Sequence, residues 1–530
     1  MMLDNILLVI VYVLYLYLVV KFGLRAFHMF QQNRYEIVRF RQWQKNNVTK
    51  TYPLGVMVVW FLVILSALIN PFVELRIYLL ITILVIYGLI QLNKSRKKTY
   101  IKPLVYTNRV KRQLFTYIII LIIFILLSLL ALKNHYYIFL LLLAIFHLYQ
   151  MHIISIVSLI NQPLENLFKN KFLNKAKTKL DSMPAISKIG ITGSYGKTSS
   201  KNIINEILSK KYYCLVTPAS YNTPMGISIT INDYLQPIHE IFICEMGADK
   251  VGEITELVNF VRPQIGVVTS IGNQHLATFK TQENIINEKM QMVELMDENG
   301  LVVLNKDEKF IREYPITSKA KQIWYGINEE CDIKANNIVY SKDGSSFDVN
   351  IDNKLVHFQT KLLGIHNIYN ILAGIAIGLH YGISIDDLVI AIKQLNYVPH
   401  RLEVKKQDDY TIIDNAFNSN PVSSKLTLDV LKHMPGLRIC ITPGLIDLGA
   451  SQDQYNYEFG SYFINRCDRV ILVGRKQTKA VYQGLLDSGF NMKYVYVVNR
   501  IYDAFNTLER IKEPNCYVLL ENDLPDAFNV

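Results

Sequence analysis

The sequence predicts a multi-pass α-helical membrane region followed by α/β architecture: a P-loop central domain with a parallel sheet and a small β insertion, then a Rossmann-like C-terminal α/β domain. Three observations carry this. Long apolar tracts crowd the first third of the 530 residues. A strand, a glycine-rich loop and a helix succeed one another across 188–208. Short apolar runs then alternate with helical patterns to the end, as a mostly parallel sheet requires. The expected domains are 1–160, about five membrane helices; 161–184, a polar linker; 185–398, the central domain; and 399–530, the C-terminal domain.

The apolar tracts are 3–20, 55–73, 77–92, 114–132 and 136–160. A membrane helix needs ~20 mostly apolar residues, which four of them approach; 77–92 is short. One such tract alone reads equally well as a buried core helix, but five in one third of a chain do not. The first has no cleavage pattern and more follow, so it is read as a span rather than a signal peptide.

Charge is divided just as unevenly. Residues 1–180 hold 22 Lys+Arg against 4 Asp+Glu, a net of +18 within a whole-chain net of +12, so the remainder is net −6. The positive residues sit in 21–54, in 93–113 and just after 160. The positive-inside rule places these segments in the cytoplasm. With five spans, the N-terminus is then outside and residues 161–530 are cytoplasmic. Anionic headgroups account for the basic loops, so membrane lipids are expected partners and nucleic acid is not. The six cysteines form no CxxC pair, which argues for reduced thiols and against a zinc ribbon.

The stretch Ile191-Thr192-Gly193-Ser194-Tyr195-Gly196-Lys197-Thr198 leads from an apolar strand into a helical pattern (Ile203, Ile204, Ile207, Leu208). That order suits phosphate: backbone N–H groups and the helix N-terminus face the anion, Lys reaches the outer phosphates, and the Thr hydroxyl can sit on Mg²⁺. Ile191 stands where GxxxxGK[ST] has its first glycine, so a glycine-rich turn is the plainer alternative. Strands are expected at 187–192, 240–245, 264–270 and 301–305. Short alternating runs between 332 and 360 suggest an antiparallel insertion. A second series follows at 411–414, 438–442, 469–473, 494–498 and 516–521. It is Rossmann-like in layout but lacks GxGxxG.

Several strand ends carry chemistry-bearing residues. Glu245 closes an apolar strand beside the loop, where a carboxylate is well placed to hold Mg²⁺. His275 follows the next strand. A lone His is more often a satisfied surface or core group, and only its position raises it. Lys289, in Glu288-Lys289-Met290 on an amphipathic helix, reads by itself as a solvated lysine. Asn222-Thr223-Pro224-Met225-Gly226 reads as a loop, Gly364-Ile365-His366-Asn367 as a helix start, and Asp414-Asn415 as a polar strand end.

Taken together and in order, these motifs resemble the Mur ligase family, in particular its D-alanyl-D-alanine-adding branch. They are Thr-Gly-Ser-x-Gly-Lys-Thr (192–198), Asn-Thr-Pro-x-Gly (222–226), Glu-Met-Gly-Ala (245–248), Ile-Gly-x-x-His-Leu (271–276), Glu288-Lys289, Leu304-Asn305-x-Asp307, Gly-x-His-Asn-x-x-Asn (364–370), Arg401-Leu402-Glu403 and Asp414-x-x-x-Asn418-x-Asn420-Pro421. The similarity spans roughly 185–530. It implies ATP-driven amide formation through an acyl phosphate. Loop residues Thr192, Gly193, Ser194, Tyr195, Gly196, Lys197 and Thr198 would then hold the ATP phosphates. Thr198 and Glu245 would hold one Mg²⁺; His275, with a carbamate on Lys289, would hold a second. Asn305, Asn367 and Asn370 match positions near the nucleotide base. Arg401 and the Asp414/Asn415 pair match the hinge that carries the C-terminal domain onto ATP.

Three departures stand out. His400 replaces the family's usual glycine before the hinge arginine. Asp414-Asn415-Ala416-Phe417 replaces Asp-Asp or Asp-Ser-Tyr, which leaves the hinge role shared between Asp414 and Asn415. Membrane tracts stand in place of the domain that binds a UDP-sugar. The expected activity is thus a membrane-anchored ATP-dependent peptide ligase joining an amino acid or dipeptide to an envelope precursor, either a lipid-linked or a UDP-linked muropeptide. A poly-γ-glutamate-type polymer ligase and a catalytically silent ATP-binding scaffold are the alternatives.

Overall fold

The computed structural model describes residues 2–69, 73–96, 103–272, 276–417, 419–446 and 448–523. They form two compact units, Met1–Lys169 and Asn170–Leu524.

The first unit is helical: α1 (Met2–Gln32), α2 (Ile37–Asn46), α3 (Val48–Thr51), α4 (Leu54–Ile69), α5 (Val73–Arg96), α6 (Asn108–Asn134), α7 (Tyr136–Leu148) and the first part of α8 (Gln150–Asp181). Its core is aromatic, with Tyr15, Phe27, Phe30, Trp60, Tyr117, Phe139 and Phe146 buried. The outer faces stay apolar too, for example at Val13, Phe61, Leu126 and Leu130. Helices that are apolar all round require a non-aqueous surrounding or a thick protein shell. Among the described residues two helices are long and apolar enough to cross a membrane, Ile6–Gln32 and Asn108–Leu132. The expectation of about five spans is therefore reached only in part. The tract 136–160 is not one rod: α7 and α8 meet at 75°, a change of direction that hydropathy does not register. The bent pair would count as a third span, while α4 and α5 hold only the shorter apolar stretches Leu54–Leu65 and Tyr78–Asn93. The segment read as a linker is helical to Asp181.

The second unit contains two sheets. In the first, β1 (Ser187–Thr192), β2 (Cys214–Val216), β3 (Ile241–Glu245), β4 (Ile265–Val268), β5 (Leu301–Asn305) and β6 (Lys321–Gly326) are parallel in the order β2-β3-β1-β4-β5-β6. Next to β6 come β7 (Ile333–Ser341), β8 (Gly344–Ile351) and β9 (Lys354–Thr360), an antiparallel meander that matches the expected insertion. Side chains alternate across the sheet. Ile189 and Ile191 pack into one core with α9 (Lys197–Leu208) and helix Ile365–His380. Phe242 and Cys244 pack into the other with α10 (Pro224–Tyr234), α11 (Glu253–Val261) and, beyond the four-residue α12 (Leu276–Phe279), α13 (Gln282–Glu294).

The second sheet runs β10-β11-β15-β12-β13-β14, from β10 (Glu403–Lys406), β11 (Tyr410–Asn415), β12 (Arg438–Thr442), β13 (Arg469–Val473), β14 (Val495–Val498) and β15 (Cys516–Glu521). All are parallel except β10, which runs against β11. The strands that sequence patterning missed are β2, β6 and β10. β2 (Cys-Leu-Val) is an edge strand of only three residues, too short to stand out, and the charged edge strand β10 (Glu-Val-Lys-Lys) shows no apolar run.

Candidate active site

Register brings the strand ends together. Ile191 faces Glu245, Thr192 faces Val268, and Val268 faces Leu304. The carboxyl edge of the first sheet therefore presents Thr192, Glu245, Thr269 and Asn305 side by side, where open parallel sheets bind ligands.

The glycine loop turns over this edge. Gly193 has φ 145°, and a Cβ there would lie 2.2 Å from Thr269 Oγ1; Gly196, which starts α9, has φ 86°. Both conformations favour glycine. Groups just past the end of β4 hold the loop. The Tyr195 amide donates to Ser270 Oγ at 2.9 Å, and the Ser194 hydroxyl donates to Gly272 O at 3.1 Å. Lys197, half-buried, donates to Gly193 O (2.6 Å) and Ser194 O (3.0 Å). Burial pulls its ammonium below the ordinary lysine range; Glu245 opposes this and Arg401 adds to it. Asn370 lies behind the loop, where its Oδ1 accepts from Ser200 Oγ at 2.9 Å.

Glu245 is only 1% exposed, and three side chains converge on it. Thr198 Oγ1 donates to Oε2 at 2.8 Å, Asn222 Nδ2 donates to Oε1 at 2.9 Å, and Lys201 Nζ lies 3.5 Å from Oε2. The ammonium of Lys201 also donates to Thr217 O at 2.7 Å. Sequence reading named Asn222 only within a loop and passed over Lys201. The signal for Lys201 was its spacing, one helical turn after Lys197 on α9.

Lys289 is buried on α13, with Nζ donating to Ala248 O at 3.2 Å and lying 5.9 Å from the Phe279 ring centroid. Burial brings its pKa down to about 7, and the charge of Lys197 pushes the same way. It is therefore not a solvated lysine. Its neighbour Glu288 accepts the Gly252 and Ile254 amides at 2.7 and 2.6 Å, capping α11. His275 and Asn418 lie outside the described residues.

Asn305 and Asn367 are engaged locally: Asn305 Nδ2 donates to Thr269 O at 3.3 Å, and Asn367 Nδ2 donates to Leu363 O at 2.9 Å. The charge of Arg401 bears on Lys197, Lys201 and His366, so the arginine belongs to the electrostatics of the loop; its guanidinium stacks 4.4 Å over Phe417. His400 has φ 58°, a left-handed value that a glycine would adopt without strain. Its Nδ1 lies 2.8 Å from Asp414 Oδ2, which Lys405 Nζ also meets at 2.6 Å. His400, Glu403 and Asp414 are close enough together to suggest a metal site, but the Lys405 ammonium already bridges both carboxylates. Asp414 and Asn415 part company here. Asn415 donates to Glu521 Oε2 at 2.9 Å, inside the second sheet's polar end.

These residues fit the groups the motifs imply. The glycine cradle leaves room that a Cβ would fill, and a basic group lies beside it, as phosphate needs. A buried carboxylate beside a threonine hydroxyl offers oxygen ligands of the kind that hold a hard divalent cation, with the Lys201 ammonium next to them.

Strand, glycine loop, Lys-Thr and strand-end carboxylate define an α/β protein with a P-loop-like glycine turn suited to phosphate. Residues 191–378 match the Mur ligase middle domain, so this chain carries that domain, and the resemblance read from the motifs is borne out. The UDP-N-acetylmuramoyl-tripeptide–D-alanyl-D-alanine ligase of Bacillus subtilis is 28% identical over 293 residues, 54% of this chain and 62% of its own length. The Escherichia coli protein of the same name is 28% identical over 297 residues, 55% of this chain and 65% of its own. The chain thus spans less than two thirds of these relatives. MurF ligase from Thermotoga maritima in complex with ADP superposes with a TM-score of 0.61 at 22% identity, covering 68% of this chain and 81% of that one. MurF from Acinetobacter baumannii gives 0.62 at 21%, covering 68% and 78%. These structures share the fold.

Proposed function

We propose that this protein is a membrane-anchored, ATP-dependent carbon–nitrogen ligase of the Mur type that extends a cell-envelope precursor. The observation that carries the reading is the convergence of Lys197, Thr198 and Glu245 at the carboxyl edge of a Mur ligase middle domain. The relatives' names supply a template for the substrates, a UDP-linked muramoyl tripeptide and D-alanyl-D-alanine. Apolar helices at the N-terminal end favour an acceptor that is itself lipid-linked.

In this reading the loop amides and Lys197 bind the ATP phosphates, and Arg401 approaches the same anions. The acceptor carboxylate attacks the γ-phosphorus, ADP leaves, and an acyl phosphate forms. The amine then attacks the acyl carbon, inorganic phosphate departs, and the amine's proton passes to solvent or phosphate. Bound Mg²⁺, held by Thr198 and Glu245, would supply neutralising charge. A carbamate on Lys289 would place negative charge on α13 close to Lys197. His275 is assigned to the same metal cluster by the family resemblance. The membrane reading comprises spans at 6–32 and 108–132, the bent α7–α8 pair, and the shorter α4 and α5, with the N-terminus outside and the ligase domains cytoplasmic.

The test is phosphate release from ATP and Mg²⁺ by the detergent-purified full chain, offered D-alanyl-D-alanine or single amino acids with lipid-linked or UDP-linked muropeptides. Release that needs both amine and acceptor supports the ligase. A preparation that binds ATP yet turns over no pair would show a silent scaffold instead.

A further inference from the structure

We propose that the basic end of the helical unit binds the phosphoryl headgroup of a membrane lipid, gripped by buried N–H donors from α2 and α6. Away from water an N–H without an acceptor is costly. Yet several side-chain N–H groups of this unit find no acceptor among the described residues, among them Trp43 Nε1, Gln44 Nε2, Arg109 Nε and Gln113 Nε2. Apart from the half-buried Arg109, each belongs to a residue more than nine-tenths buried; Gln113 is 0% exposed and unpaired at both amide atoms.

Contacts link the α2 donors to Arg109. Trp43 stacks on Phe40 (6.0 Å between centroids), Phe40 meets Phe30 (5.1 Å), and Phe30 meets Tyr35 (5.7 Å). The Arg109 guanidinium lies 4.3 Å over the Tyr35 ring. Gln113 and Tyr117 follow Arg109 at intervals of one turn on α6 and share its face. The same end carries Arg39, Arg41 and Lys45 on the short α2.

A surplus of donors beside a guanidinium calls for a ligand rich in acceptor oxygens and negatively charged. A phosphoryl group supplies three or four such oxygens at one point; a carbonyl or hydroxyl supplies too few. The outer face of α6 at this level is apolar and exposed, at Phe115 and Ile118, which suits the chain of a lipid. The proposal rests on the membrane reading of this unit and is independent of ATP chemistry.

The test uses the full chain in detergent micelles with Trp60→Phe and Trp324→Phe, which leaves Trp43 as the reporter. Phosphatidic acid with brominated acyl chains should quench Trp43 at a several-fold lower mole fraction than brominated phosphatidylcholine, and lower still than brominated diacylglycerol. Arg109→Gln and Gln113→Leu should each merge the three curves, while Arg109→Lys keeps part of the separation. Three coincident curves in the parent would overturn the site. Displacement of the lipid by millimolar inorganic phosphate would overturn it in favour of a free anion. If the double variant does not fold, native mass spectrometry of the unaltered chain with the same lipids reads the same preference. Release of the protein from vesicles by alkaline carbonate alone would instead sink the membrane reading beneath it.

Discussion

The Thr198 hydroxyl donates to Glu245 Oε2 at 2.8 Å, tying the first turn of α9 to the end of β3. The bond spans the place where a nucleotide's metal is expected. Substituting Glu245→Gln keeps the shape and removes the charge. The Mg²⁺ concentration for half-maximal phosphate release should rise ~10-fold or more. An unchanged Mg²⁺ curve would remove Glu245 from the metal site.

Lys197 is held against the loop's own carbonyls, and its charge is expected to meet the transferred phosphoryl. Lys197→Ala should lower turnover by ~100-fold or more with little change in Tm. Activity near the parent's would show that the loop is not the ATP site.

Lys289 has a folded-state pKa of about 7, against ~10.4 in an unfolded chain. Between those values only the unfolded chain holds the proton. The cost of burying the ammonium is therefore full below about pH 7 and fades as pH rises. Lys289→Met should raise Tm at pH 6 and change it less at pH 9, while abolishing activity. The neutral amine is also the form that takes up CO₂, so turnover in the parent should respond to bicarbonate. A Tm difference independent of pH would contradict the buried ammonium.

Glu521 has the opposite sign. It is fully buried and accepts from Asn415, Ser419 and Thr427, and burial raises its pKa to about 7. Between the ordinary carboxylate range and about pH 7 the folded state holds a proton the unfolded one has lost, so stability falls as pH climbs through that window. Glu521→Gln should be more stable than the parent at pH 8 and no better at pH 4. Equal Tm differences at both values would mean that the carboxylate does not titrate on unfolding.

Much of this was legible beforehand, for physical reasons. β1 and its loop announce themselves because a strand must be apolar, a left-handed turn favours glycine, and Lys-Thr follows at fixed spacing. Glu245 was visible as a charge ending an apolar strand. Lys201 was not, because a lysine on a helix looks solvated until the fold buries it against Glu245. Glu521 was hidden likewise: only the β11–β15 pairing brings it to Asn415. His400 looked like a simple departure from glycine until its left-handed φ and its bond to Asp414 showed how the position is tolerated. Hydropathy marked the apolar tracts but could not show that residues 136–160 change direction at Tyr149.

Lys201 stands 3.5 Å from the one carboxylate expected to take the metal. A carboxylate already neutralised by an ammonium is a poor trap for a bare divalent ion. The cation gains most when it comes already bound to the triphosphate, whose own negative charge outweighs the lysine. This predicts an order of arrival: the protein should ignore free Mg²⁺ and capture the Mg–nucleotide complex as a unit. Lys201 would then act as a filter on which species enters, without taking part in the chemistry that follows.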